Sequence, residues 1–135
     1  MSLATSAITK IWGGVCVPFP HVRDRGEDTY IWIRDGKIRN VLATYKVDYK
    51  HDKLTDLVIK REQLMDLFIL ENLLLPNVII VVDFDDCYMF AQVGSIYLRA
   101  TKHSGKKAAD LYDEHGDAFI PLELFGLITN KGTIK

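Results

Sequence analysis

The sequence is poor in the features that mark a specialised class. It has two cysteines, Cys16 and Cys87, far apart in the chain and set among apolar neighbours. A disulfide framework needs more of them, so two buried thiols in a reducing compartment are expected. Neither belongs to a CxxC pair, and His21, His51, His103 and His115 lack metal-ligand spacing, which argues against a zinc site. There is no glycine loop to cradle phosphates, no GxSxG and no Walker sequence. Neither sign of charge is in excess: 17 Lys and Arg against 18 Asp and Glu leave a formal net charge of -1. The total therefore does not mark a nucleic-acid binder, although a local basic patch stays compatible with it. Long apolar runs are also missing, since Leu64–Leu75 is interrupted and Val78–Val82 is too short to span a bilayer. Met1–Gly14 shows no basic leader followed by an apolar block, and the expected location is cytoplasmic.

What the sequence does have is an apolar fraction of 48% over 135 residues, enough for one domain (1–135) with a real core. Leu3–Trp12 predicts a short helix stopped at Gly13-Gly14. Pro18 and Pro20 force an extended passage, and His21–Glu27 is a charged loop. Thr29–Arg34 is rich in β-formers and meets Asp35-Gly36, a strong two-residue hairpin signal, with the return strand from Ile38 to about Tyr49. A short strand is expected at Leu57-Val58-Ile59. Arg61–Leu75 then reads as a helix with the stripe Leu64, Leu67, Phe68 and Leu74, widened by Met65, Ile69, Leu70 and Leu73. So apolar a helix should be covered on most sides, by the sheet and by a second copy of the chain, giving a homodimer.

Asn77–Phe84 is an apolar run of the kind buried on both faces of a sheet. Asp85-Asp86 turns it into an antiparallel partner, Cys87–Val93, and Ile96–Ala100 is expected to extend the sheet. Thr101–Asp117 reads as a charged loop, and Phe119–Phe125 returns to the core. The fold class is α/β on the α+β border, with a central mixed sheet of about four to five strands built from two hairpins flanked by helices.

One constellation carries chemistry. Metal-dependent phosphodiester cleavage needs carboxylates a few ångströms apart and a lysine near the attacking water or the phosphate. A hairpin supplies this when an acid on one strand lies opposite an acid-x-lysine on the other. Glu27-Asp28 leads into the first strand, and the second carries Thr44, Lys46, Asp48 and Lys50 on one face. A strict two-residue turn at Asp35-Gly36 pairs Glu27 with Thr44, whereas a three-residue turn including Lys37 pairs Asp28 with it. The sequence leaves both open.

Helix, hairpin with a late lysine, helix, then apolar hairpin: over Glu27–Val93 this order resembles the PD-(D/E)xK nuclease superfamily, especially its small phage-type and resolvase-like members. The resemblance implies a restriction-endonuclease-like core and a Mg²⁺- or Mn²⁺-dependent endonuclease or resolvase-like phosphodiesterase acting on DNA. It puts the first acid on Asp28 or Glu27, the lysine on Lys46 and the second acid on Thr44, where the match fails. Either Asp48 takes over as a metal ligand, with Asp48-Tyr49-Lys50 as a displaced acid-x-lysine, or the domain no longer cuts. In the second case it remains a DNA-binding or protein-interaction module of a phage accessory kind. The one basic cluster, Arg99, Lys102, Lys106 and Lys107, is the candidate for phosphate contacts. Asp83, Asp85 and Asp86 cluster at a turn, where Asp is simply a good turn former, and no role is assigned to them.

Overall fold

The computed structural model describes residues 3–19, 27–47, 56–73, 77–105 and 111–133. Its first element is α1 (Leu3–Trp12), ended by Gly13 and Gly14 at φ of +78° and +75°. Gly14 is needed for a second reason. A Cβ there would lie 2.3 Å from the Ile33 carbonyl oxygen, so the chain leaves the helix pressed against its neighbouring strand.

That departure becomes β1 (Val15–Pro18), a strand where the sequence promised only extended chain; it runs antiparallel to β2 (Glu27–Arg34). β1 is an edge strand, the place where a strand proline is tolerated. Asp35 and Gly36, at φ of +55° and +71°, form the predicted tight turn into β3 (Lys37–Lys46).

The chain then passes through β4 (Asp56–Lys60) and α2 (Arg61–Leu73) to reach β5 (Val78–Asp83), which lies parallel to β3. A parallel neighbour requires such a crossover. β6 (Cys87–Gln92) returns antiparallel, α3 (Val93–Ser104) follows, and β7 (Asp117–Pro121) pairs with β4. A 3-10 turn at Leu122–Leu124 leads to β8 (Gly126–Asn130), which closes the sheet beside β6.

The main sheet has six strands in the order β1-β2-β3-β5-β6-β8, and β4-β7 forms a separate two-stranded sheet. The fold is thus mixed α/β as expected, with more strands than the four to five anticipated. Ile96–Ala100 is a second departure: it belongs to α3 rather than to a strand, and Thr101–Ser104 continues that helix rather than opening a loop. Val93, Ile96 and Ala100, three and four residues apart, are the buried positions that hold this helix to the sheet.

Hydrophobic cores form on both sides of the main sheet. On one side Val41, Ala43, Val78, Ile80 and Val82 pack with Leu64, Leu67 and Leu70 of α2 and Ile96 of α3. On the other side Tyr30, Trp32, Leu42 and Val81 pack with Ala4, Ala7 and Ile8 of α1. The expected burial of α2 on most sides is met on one side only, because Met65 and Ile69 remain 47% and 48% exposed. No described helix is long and apolar enough to cross a membrane.

Candidate functional site

The hairpin register decides which acid reaches the lysine-bearing face. Arg34 pairs with Lys37 and Ile33 with Ile38, as a two-residue turn demands, but Trp32 then pairs with Asn40. Arg39 is therefore an extra residue in β3, a bulge that shifts every later pair by one. Its guanidinium folds back on the turn, where Nε donates to the Arg34 carbonyl at 3.1 Å and Nη2 lies 3.5 Å from Asp35 Oδ2. The consequence is that Asp28 falls opposite Thr44 and Glu27 opposite Tyr45. This is the register foreseen for a three-residue turn, reached instead by a tight turn and a bulge.

Tyr45 belongs to the core under α2 and α3, whereas Leu42, Thr44 and Lys46 alternate onto the α1 face. The register thus assigns Asp28, and not Glu27, to the face that holds Thr44 and Lys46. Thr44 is buried there at 7% exposure, while Lys46, at the end of the strand, is exposed.

The parallel neighbour supplies what the hairpin lacks. Lys46 is the register partner of Asp83, and the Val47 N–H donates to the Asp83 carbonyl at 2.9 Å. The Asp83 carboxylate stands on the α1 face, in line with Val81, but it is already engaged. Lys131 Nζ lies 2.5 Å from Asp83 Oδ1 and 4.9 Å from the centre of the Tyr88 ring. Among the described residues, Lys46 has no ion-pair partner. An exposed ammonium therefore sits beside a carboxylate that a different lysine neutralises.

The other candidates lie elsewhere. Asp48, Lys50, Lys106 and Lys107 fall outside the described residues. Arg99 and Lys102 are on α3, which packs against the opposite side of the sheet from Lys46, so the structure does not bring these groups together. Arg99 Nη1 donates to the Leu124 carbonyl at 3.1 Å, a bond that ties α3 to the 3-10 turn. Lys102 is exposed in the last turn of α3, where its carbonyl accepts the Gly105 N–H.

A divalent cation needs several hard oxygen donors, and carboxylates are its usual protein ligands. Among the described residues, no three His, Cys, Asp or Glu side chains gather in one place. Thr44 offers a neutral hydroxyl where the resemblance asks for an acid, and Asp83 is paired with Lys131. Of these two described positions, neither therefore supplies an uncommitted carboxylate for Mg²⁺ or Mn²⁺, and Asp48, the other acid named for the metal, lies outside the described residues. What the arrangement can do is hold an anion at an exposed lysine.

Sequence reasoning noted Asp83 but gave it no role, and it missed Lys131. Asp83 carried a weak signal, as a charged residue closing an apolar strand. Lys131 carried none, since its partner is 48 residues away. Comparison with protein-family models, with curated proteins and with solved structures finds no match to the chain.

Proposed function

We propose that this chain is a DNA-binding domain with the restriction-endonuclease-like fold of the PD-(D/E)xK superfamily, whose cutting site is eroded at Thr44. One observation carries the reading: Asp28 lies opposite Thr44, and Lys46 follows two residues later on the same face. Support comes from the element order, which is α1, a hairpin ending in Lys46, α2, then the β5–β6 hairpin. In this reading Lys46 contacts a backbone phosphate as a point charge, and binding is governed by counterion release rather than by base contacts.

The test has two arms on purified protein. Binding to duplex and branched DNA is followed against salt in EDTA, and the same DNA is then incubated with Mg²⁺ or Mn²⁺. Binding that weakens with salt, survives EDTA and leaves the DNA intact is the expected result. Absence of binding at low salt removes the reading. Cleavage that disappears in Lys46→Ala would replace it with an active metal-dependent nuclease, with ligands that include Asp48.

A second reading concerns assembly. Met65 and Ile69, one turn apart on α2, are both about half exposed, which favours a second copy of the chain packed against this helix. Light scattering decides it: a dimer that Met65→Glu dissociates is expected, and a monomer at every concentration contradicts it.

A further inference from the structure

Opposite charges on one face of neighbouring strands attract. Lys46 and Asp83 are placed for this, being register partners with side chains on one face. A lysine so paired would be half neutralised and turned along the sheet. The structure instead gives the Asp83 carboxylate to Lys131, 2.5 Å away.

Lys131 is held there from three directions. Its N–H donates to the Asp86 carbonyl at 2.8 Å, which fixes the backbone at the end of β8. Its ammonium lies over Tyr88, the cross-strand partner of Asp83, 4.9 Å from the ring centre. The pair is also partly sheltered, with side chains 32% and 21% exposed for Lys131 and Asp83. Such a pair holds better than one in open solvent.

We infer that Lys131 is a positioning residue for Lys46: by occupying Asp83 it keeps the neighbouring ammonium free for a phosphate. Its importance for DNA rests on the reading above, but its effect on Lys46 does not. Lys131 acts through charge on Asp83 and needs no contact with ligand. Removing Lys131 therefore lets Lys46 collapse onto Asp83, and removing the Asp83 charge as well makes Lys131 dispensable.

Three variants separate this from its rivals: Lys131→Met, which keeps an unbranched side chain without the charge, Asp83→Asn, and the two combined. Two quantities are read. One is the rate of Lys46 acylation by an amine-reactive ester, measured by mass spectrometry without DNA. The other is affinity for a short duplex in EDTA. Lys131→Met is expected to slow Lys46 labelling and to weaken binding by about fivefold, the equivalent of one ion pair. The double variant is expected to restore both to within about twofold of the parent, a margin set by the imperfect additivity of neighbouring residues. Unchanged labelling of Lys46 in Lys131→Met overturns the inference. So does a double variant as weak in binding as Lys131→Met, which would mean that Lys131 touches the DNA itself. If labelling follows the expected pattern while the parent binds no DNA, Lys131 keeps its role toward Lys46 and only the DNA reading falls.

Discussion

Asp28 and Thr44 are direct partners across the β2–β3 ladder, and they are so because Arg39 is inserted into β3 ahead of them. The pairing puts an acid position and a buried hydroxyl at the same level of the α1 face, one pleat before Lys46. If Lys46 is the phosphate contact, Lys46→Ala should weaken DNA binding uniformly across sequences and lower the salt slope by about 1. Fluorescence anisotropy over a salt series checks this. Lys102→Ala, on the other side of the sheet, should leave the slope unchanged. The reverse pattern would move the interface to α3.

The closeness of Gly14 to β2 gives a prediction about stability. Gly14→Ala must place its Cβ in the space of the Ile33 carbonyl, 2.3 Å away, with φ at +75°. Strain of this kind costs on the order of 3 kcal/mol, enough to unfold a marginal domain. A urea midpoint close to that of the parent would show that α1 and β1 relax more freely than their packing implies. Gly36→Ala, with open space around its Cβ, meets no clash and should cost only the strain of its positive φ.

Glu71 joins three elements. Its Oε2 accepts the Val78 N–H at 2.9 Å and lies 3.4 Å from Gln92 Nε2, while Oε1 comes close to Gly94 in the first turn of α3. A carboxylate at that end of a helix is favoured by the helix dipole. Glu71→Ala leaves the first N–H of β5 without this acceptor and should cost about 2 kcal/mol in chemical denaturation. Glu71→Gln keeps an acceptor and should cost less. Equal losses for the two would mean that only the charge matters.

The turn before β7 yields a pH dependence. Asp113 Oδ1 accepts the backbone N–H groups of Asp117 at 2.9 Å and His115 at 2.8 Å, and these bonds, that from Asp117 first, hold its carboxyl below the ordinary range. Because the folded value is the lower one, the unfolded chain takes up this proton first. The contribution is therefore full above the unfolded carboxyl value, near 4, and is lost as pH falls through the folded one. Unfolding midpoints measured between neutral and acid pH should drop less steeply in Asp113→Asn than in the parent. An acid limb of the same steepness in both would contradict the assignment.

What the sequence made legible was local. The Asp35-Gly36 turn, the apolar run of β5 and the stripe of α2 each declare themselves within a dozen residues. α3 did not, because Ile96-Tyr97-Leu98 is rich in β-formers and hides the spacing of Val93, Ile96 and Ala100. β4 and β7 find each other across some sixty residues, and nothing in either strand names the other. The candidate site divides in the same way. Thr44 and Lys46 share a face by simple alternation, which the sequence reveals. The choice of Asp28 over Glu27 depends on a bulge at Arg39 that no turn signal announces. The engagement of Asp83 by Lys131 requires the last strand to return beside β6, a tertiary fact.

The most direct test of the DNA-binding reading is where a duplex touches the protein. Backbone amide shifts recorded by NMR while a short duplex is added should move first at Thr44, Lys46 and Val47 and at the end of β5, with and without EDTA. Shifts confined to α3 around Arg99 and Lys102, or no shifts at low salt, would contradict it.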